Sequence, residues 1–164
     1  MNLHIRRAIY EDAANIISAH RRSIREVCAA DYRPEQIAAW SGRPFQTERW
    51  CQTMDKDMVW VVSDTERDIY GFGHLQFTDK PSAEIAGLYF VPEIIGKGFG
   101  RQLIQIMLDE CQKRNIQNIS LSATITAKSF YERAGFRQVD EMASVNIGGQ
   151  PIECFDMKWH PTSD

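Results

Sequence analysis

What this chain lacks narrows its possible functions before any motif is read. It has little charge of one sign: 19 Lys and Arg against 22 Asp and Glu leave a net charge of −3. A protein that holds nucleic acid through a global positive field needs the opposite balance, so no nucleic-acid partner is expected. No apolar run approaches the length needed to cross a bilayer. The N-terminus, Met1-Asn2-Leu3-His4-Ile5-Arg6-Arg7, has no apolar signal core, and no membrane partner is expected. Cysteine is sparse and scattered at Cys28, Cys51, Cys111 and Cys154, with no C-x-x-C pair. That spacing speaks for free thiols in a reducing compartment, with the cytoplasm as the expected location and no metal site. There is no internal repeat, linker or low-complexity tract. The 164 residues suffice for one well-buried core and fall short of two, so a single domain over residues 1–164 is expected.

Hydropathy patterning supplies the elements. Leu3 to Ala8 alternates as a strand, and Ala13, Ile16, Ile17, His20, Ile24 and Val27 mark one face of a helix. His20 on that face reads as a core histidine with a backbone partner. Arg6, Arg7, Arg21, Arg22 and Arg25 read as a solvated, ion-paired face. Pro34 opens a short helix to Trp40, and a further helical segment runs from Thr47 to Met54. Tyr32, Trp40, Phe45 and Trp50 in this region form either a satellite core or the wall of a pocket. Strands follow at Met58 to Ser63, Ile69 to Phe77 and Ala83 to Val91. A long helix occupies Gln102 to Arg114, then a strand Asn118 to Ala123, and a helix from an N-cap at Thr124 to Arg133. Phe136 to Asn146 and Ile152 to Trp159 are two strands around a Gly148-Gly149 turn. The order predicts a mixed α/β (α+β) domain, with a largely antiparallel first half. It lacks the strand–helix alternation of a Rossmann fold.

Between the third of those central strands and the long helix lies Val91-Pro92-Glu93-Ile94-Ile95-Gly96-Lys97-Gly98-Phe99-Gly100-Arg101. A Gly-rich turn feeding a helix presents unpaired N–H groups and the positive end of the helix dipole, an anion site. Gly96, Gly98 and Gly100 carry no Cβ to hold an anion away from the backbone, and Lys97 and Arg101 add positive charge. A P-loop needs Lys then Ser or Thr after its last glycine, and a dinucleotide fingerprint needs G-x-G-x-x-G; the spacing here is G-x-G-x-G and fits neither.

The segment from Ile95 to Gly100 resembles the [QR]-x-x-G-x-[GA] acyl-CoA loop of the GCN5-related N-acetyltransferases (GNAT). Ile95 departs from the Gln or Arg usual in that family. A second segment, Ala127-Lys128-Ser129-Phe130-Tyr131-Glu132-Arg133-Ala134-Gly135-Phe136, is similar to the family's A-x-x-F-Y-x-x-x-G-F, with Thr124 where an Asn is usual. The resemblance is firm from Glu84 to Phe136 and looser elsewhere. It implies a GNAT-like domain whose mostly antiparallel sheet of about seven strands is flanked by helices, with the central strand splayed to hold acyl-CoA. It implies acetyl-CoA as co-substrate and transfer of its acetyl group to a primary amine. A non-catalytic CoA sensor on the same fold is the alternative.

Acetyl transfer from a thioester requires a neutral amine, a polarised carbonyl, positioned reactants and a proton or hydrogen bond for the departing thiolate. By the resemblance, the loop residues Ile95, Gly96, Lys97, Gly98, Phe99, Gly100 and Arg101 hold the cofactor, together with Thr124 and Ala127. Backbone N–H groups of Leu88 and Phe90 in the splayed strand serve the thioester and pantetheine. Tyr131 is the candidate general acid: a phenol of pKa about 10 can donate to a thiolate of pKa about 8.5. Glu84 stands fourteen residues before Gly98 and aligns with the catalytic Glu of the family's histone-acetylating members, which makes it the candidate base. His74 on the neighbouring strand is its competitor. Cys154 lies in the last strand, but no cysteine sits in a motif for an acyl intermediate. The acceptor is a small-molecule or protein amine, from protein N-termini and lysines to polyamines, aminoglycosides and small amino compounds. A monomer or a homodimer paired through the final hairpin is expected.

Overall fold

The computed structural model describes residues 1–161. Strand β1 (His4–Arg7) leads through a 3₁₀ turn to α1 (Ala13–Glu26), α2 (Pro34–Gly42) and α3 (Thr47–Lys56). Three antiparallel strands follow, β2 (Met58–Ser63), β3 (Ile69–Phe77) and β4 (Ser82–Phe90). Helix α4 (Phe99–Lys113) crosses over to β5 (Asn118–Thr124), which lies parallel to β4. Then come α5 (Lys128–Arg133), β6 (Phe136–Gln138), β7 (Ala143–Ile147) and β8 (Gln150–Trp159). The sheet order is β1-β2-β3-β4-β5-β8-β6, with β7 also on β8.

The expected strand from Phe136 to Asn146 is two strands, which makes the sheet eight-stranded rather than seven. The break falls at Asp140, whose φ of 62° is a left-handed conformation no strand continues through. The Gly148-Gly149 turn forms as expected, with φ of 58° and 84° suiting a two-residue hairpin.

Alternation along β2 sorts its side chains between two cores. Trp60 and Val62 face Leu103, Ile104, Met107 and Cys111 of α4, together with Leu75, Ile85 and Leu121. Val59 and Val61 face the other way, with Ile16 of α1 and Phe72 of β3. Helices α4 and α5 therefore cover one face, and α1 to α3 the other. Tyr32 and Trp40 belong to a third cluster with Ile24, Cys28 and Ile152. The Tyr32 hydroxyl donates to the Glu153 carbonyl (2.6 Å) and accepts from the Ile125 N–H (2.9 Å). These two aromatics are core, and the partly buried Trp50 packs against the cluster of Ile16, Val59, Val61 and Phe72.

The arginines follow several patterns rather than one. Arg6 makes a two-pronged bond to the buried Asp12 (2.7 and 2.9 Å), and Arg22 pairs with Glu26 and Glu93. Arg21 makes no ion pair with a described residue; it lies over the ring of Phe45, 5.1 Å from its centroid.

Candidate active site

Two irregularities in β4 create the site. The first is a bulge: His74 pairs with Gly87 and Leu75 with Ile85, so Ala86 is the extra residue. The second is a divergence. β5 pairs with β4 only from Ser82↔Asn118 to Ile85↔Leu121, and beyond that point β5 follows β8 instead. The Val91 N–H donates to the Tyr70 carbonyl (2.9 Å) across the β3 side. N–H groups alternate along an extended strand, so those of Leu88 and Phe90 turn to the opposite side, into the gap that β5 has left. The splay expected for the central strand is present. The Leu88 and Phe90 side chains pack against the core that faces α4.

The Gly-rich loop stands beside this gap. Gly96 (φ 81°) and Gly98 (φ 90°) both adopt left-handed conformations, and Gly98 caps α4. A Cβ on Gly96 would meet nothing within 4 Å, and one on Gly98 only the Gln102 amide at 3.8 Å. The first helical bond runs from the Gln102 N–H to the Gly98 carbonyl (3.1 Å). Among the described residues, the N–H groups of Gly96, Gly98, Phe99, Gly100 and Arg101 have no acceptor. No acidic side chain occupies the first turn, and Lys97 and Arg101 are exposed and make no ion pair with the described residues. This is a ready anion site and fits a pyrophosphate. Ile95 is 52% exposed, so its side chain supports none of the loop's packing.

Gly100 has a different reason for being glycine. A Cβ there would lie 2.9 Å from the Phe130 ring and 3.4 Å from Phe90. Its smallness seats α4 against α5 and β4 and does not open room for an anion. Gly71 does similar work: its missing Cβ leaves space for the Phe90 ring, which would otherwise stand 2.4 Å away.

Across the gap, the helix expected from Thr124 begins later. Thr124 ends β5, and its hydroxyl accepts the Ala127 N–H (3.1 Å) in a turn before α5. Tyr131 projects from α5 into the core beside Phe130 and Phe136, 6% exposed. Its hydroxyl makes no hydrogen bond with the described residues, and burial alone pushes its pKa well above the usual phenol range. It therefore stays protonated at any physiological pH.

On the opposite face of β3 and β4 lies a cavity of about 380 Å³. Its walls come from α1 (His20), the α2–α3 connection (Arg43, Phe45), α3 (Arg49, Trp50), β3 (Phe72, His74) and the bulge of β4 (Ala86, Gly87). Tyr89 closes it, its ring 4.2 Å from that of His20. Phe45 and Trp50 are thus pocket wall. His20 differs from expectation: it is buried at 6% exposure, yet neither ring nitrogen has a partner among the described residues. The backbone carbonyls of its own helix are already used, which leaves the ring facing the cavity.

The candidate bases separate in space. His74 Nε2 lies 2.7 Å from the Asp57 carboxylate, and the imidazole lines the cavity. Glu84 sits two residues before the bulge, between Gln76 and Ser120, and does not line the cavity. Sequence spacing favoured Glu84; the link between His74 and Asp57 spans seventeen positions and carries no sequence signal. Burial raises the Cys28 thiol to about 11 and also raises that of Cys154, which disfavours the nucleophilic thiolate at both. Among the described residues no group of His, Cys, Asp and Glu could hold a metal, and no helix is long and apolar enough to cross a membrane.

Known proteins share this architecture. A GCN5-related N-acetyltransferase from Rhodopseudomonas palustris superposes with a TM-score of 0.84 at 22% identity, covering 97% of this chain and 96% of that one. The PaiA N-acetyltransferase of Thermoplasma acidophilum, whose structure is a complex with coenzyme A, gives a TM-score of 0.78 at 23% identity, over 97% and 99% of the two chains. In sequence, the uncharacterised N-acetyltransferase YafP of Escherichia coli (strain K12) is 26% identical over 160 residues, 98% of this chain and 97% of that protein. The family model for the acetyltransferase (GNAT) domain matches residues 28–160, from the end of α1 to the end of β8, and the chain belongs to that family.

Proposed function

We propose that the protein is an acetyl-CoA-dependent N-acetyltransferase that acetylates a primary amine by direct attack within a ternary complex. The observation that carries this reading is the meeting of two approaches at the β4 bulge. From the α4 side come the splayed strand and the open N–H groups of the loop. From the α1–α3 side comes a cavity bounded by the bulge residues Ala86 and Gly87. Two reactants held on opposite sides of one strand can react without a covalent enzyme intermediate, and the raised thiol pKa values of Cys28 and Cys154 argue against one. The PaiA structure with coenzyme A supports the cofactor assignment.

Bound acetyl-CoA would supply an activated acyl group and a thiolate leaving group. The chain's own residues would do the rest. Gly96, Gly98, Phe99, Gly100 and Arg101 donate N–H groups to the pyrophosphate, with Lys97 and Arg101 beside them. The Leu88 N–H polarises the acyl carbonyl, and that of Phe90 holds the pantetheine. Thr124 and Ala127 border the same cleft. Tyr131 donates its phenolic proton to the departing sulfur. His74, held by Asp57, takes the amine proton; its place in the cavity wall favours it over Glu84. The amine cavity also favours an enzyme over a CoA sensor.

The test is release of CoA thiol from acetyl-CoA with a panel of amines. Initial-rate plots for an active amine should intersect, the mark of a ternary complex. Parallel lines with a trapped acetyl-cysteine would replace this mechanism, and CoA binding with no turnover by any amine would favour the sensor.

A further inference from the structure

The cavity that borders the β4 bulge is cationic and aromatic. Arg43 and Arg49 line it, and among the described residues no Asp or Glu does. The Asp57 carboxylate is committed to His74. Arg43 is half-buried: its guanidinium lies over the Phe45 ring at 4.8 Å, and its Nε is buried with no partner among the described residues. Arg21 covers the same ring at 5.1 Å, donates to the Arg43 carbonyl at 3.4 Å, and its Nε is likewise buried without a partner. None of Arg21, Arg43 and Arg49 has a carboxylate within ion-pair distance among the described residues. Beside them stands His20, more than nine-tenths buried, with both nitrogens unpartnered among the described residues.

Buried donors without acceptors are costly, and a protein that keeps several around one cavity is built for something that satisfies them. The half-buried Arg43 guanidinium and a neutral imidazole offer donors in a desolvated setting, with the exposed Arg49 guanidinium at the rim. The complement is an anion with two oxygens in a plane, since a guanidinium binds such a group in paired fashion. Burial, with Arg43 and Arg21 adding to it, holds His20 neutral with a pKa of about 3, so one ring N–H can donate while the ring adds no further charge. The remaining walls, Phe45, Trp50, Phe72 and Tyr89, suit an apolar body. A polycation would meet the two arginines with no carboxylate to receive it.

We propose that the amine acceptor carries a carboxylate and an apolar or aromatic body, an amino-acid-like molecule, with Arg43 and His20 binding the carboxylate while the amine faces His74. This rests on the acetyltransferase reading and narrows its acceptor. Arg49, exposed at the rim, guides the anion inward. Polyamines and neutral amines are excluded as preferred acceptors, the first by charge and the second because they leave the buried donors unsatisfied.

The experiment uses the full chain with acetyl-CoA. The panel contains aromatic and aliphatic amino acids, each with its decarboxylated amine and its carboxamide, together with spermidine. CoA release gives kcat/KM, and calorimetry on protein saturated with CoA gives binding without turnover. For the preferred skeleton, the carboxylated member should exceed both neutral counterparts by at least about tenfold, the expected effect of a charge-assisted hydrogen bond. Arg43→Gln should erase most of that ratio through KM and leave CoA affinity unchanged. His20→Phe keeps a ring against Phe72 and Tyr89, removes both nitrogens, and should weaken the carboxylated amines selectively. Equal or better use of neutral amines or spermidine overturns the proposal. So does a ratio unchanged in a folded Arg43→Gln variant, or no saturable binding by any carboxylated member. Normal CoA binding with indifference to the carboxylate removes this inference alone. Failure of CoA to bind removes the acetyltransferase reading, and this one with it.

Discussion

Removing one hydroxyl from Tyr131 tests the leaving-group role with little disturbance. Tyr131→Phe keeps the ring against Phe130 and Phe136, and the lost oxygen has no hydrogen-bond partner among the described residues, so folding and CoA affinity should hold. Turnover should fall by the general-acid range of about 10²–10⁴. Wild-type turnover in this variant assigns the proton to water. The base is tested by a pair. His74→Gln should lower turnover by about 10²–10⁴ with CoA affinity unchanged, measured at saturating acetyl-CoA, and Glu84→Gln should keep turnover. The reverse result restores the assignment that sequence spacing favoured. His20 makes a separate prediction about stability. Its pKa is about 3 when folded against about 6.5 when unfolded. The unfolded chain therefore takes up the proton first, and folded stability falls as pH drops below about 6.5, continuing to about 3, by about 1.4 kcal/mol per unit. Between pH 7 and pH 5, wild type should lose about 2 kcal/mol more than His20→Phe in denaturant titrations. An equal loss would mean that the imidazole gains water or a partner on folding. At this scale the sequence is least informative: it names His20, His74 and Glu84 without saying what each faces.

The glycines of the loop separate two jobs within one element. Gly98→Val forces a branched residue into a left-handed conformation and covers an N–H proposed to hold the pyrophosphate. CoA affinity should fall at least about tenfold, the loss of one or two charge-assisted hydrogen bonds. Gly100→Ala instead drives a methyl into the Phe130 ring and should cost about 1–3 kcal/mol of stability, read from thermal or denaturant melts. A variant at Gly100 with unchanged stability would mean that α5 moves freely to accept it. Elements themselves were legible: β2 and β3 run as their hydropathy predicts, and α4 starts earlier than expected, at its glycine cap, and ends one residue sooner. The misses are local backbone events. Asp140 breaks a run of strand-forming residues, and Thr124 makes a turn in place of a helix cap.

Over the whole molecule, the proposed CoA site joins α4, β4, β5 and α5, segments that meet only in the folded chain. A ligand that binds only the folded state stabilises it by mass action, by about 2.7 kcal/mol at a hundredfold excess over Kd. For a domain of this size that is a rise of about 5–10 °C in Tm, growing with CoA concentration. Gly98→Val should show a much smaller rise at the same concentration. A wild-type Tm indifferent to CoA would empty the site of its ligand.

The sequence by itself determined the fold class and the order of elements but for one split strand, and it singled out the Gly-rich loop and Tyr131 as candidates. These rest on signals a few residues long: a period of two or 3.6, a glycine at a helix start, a short motif. The tertiary structure decided which side chains meet. The bulge at Ala86 shifts the register of β4, so that the face presented to the cavity after it is not the face that alternation from Glu84 would give. His74 finds Asp57, and His20, Arg43 and Phe45 close one wall, because helices and strands far apart in sequence pack there. Such encounters depend on register and packing angle, which short sequence patterns do not encode.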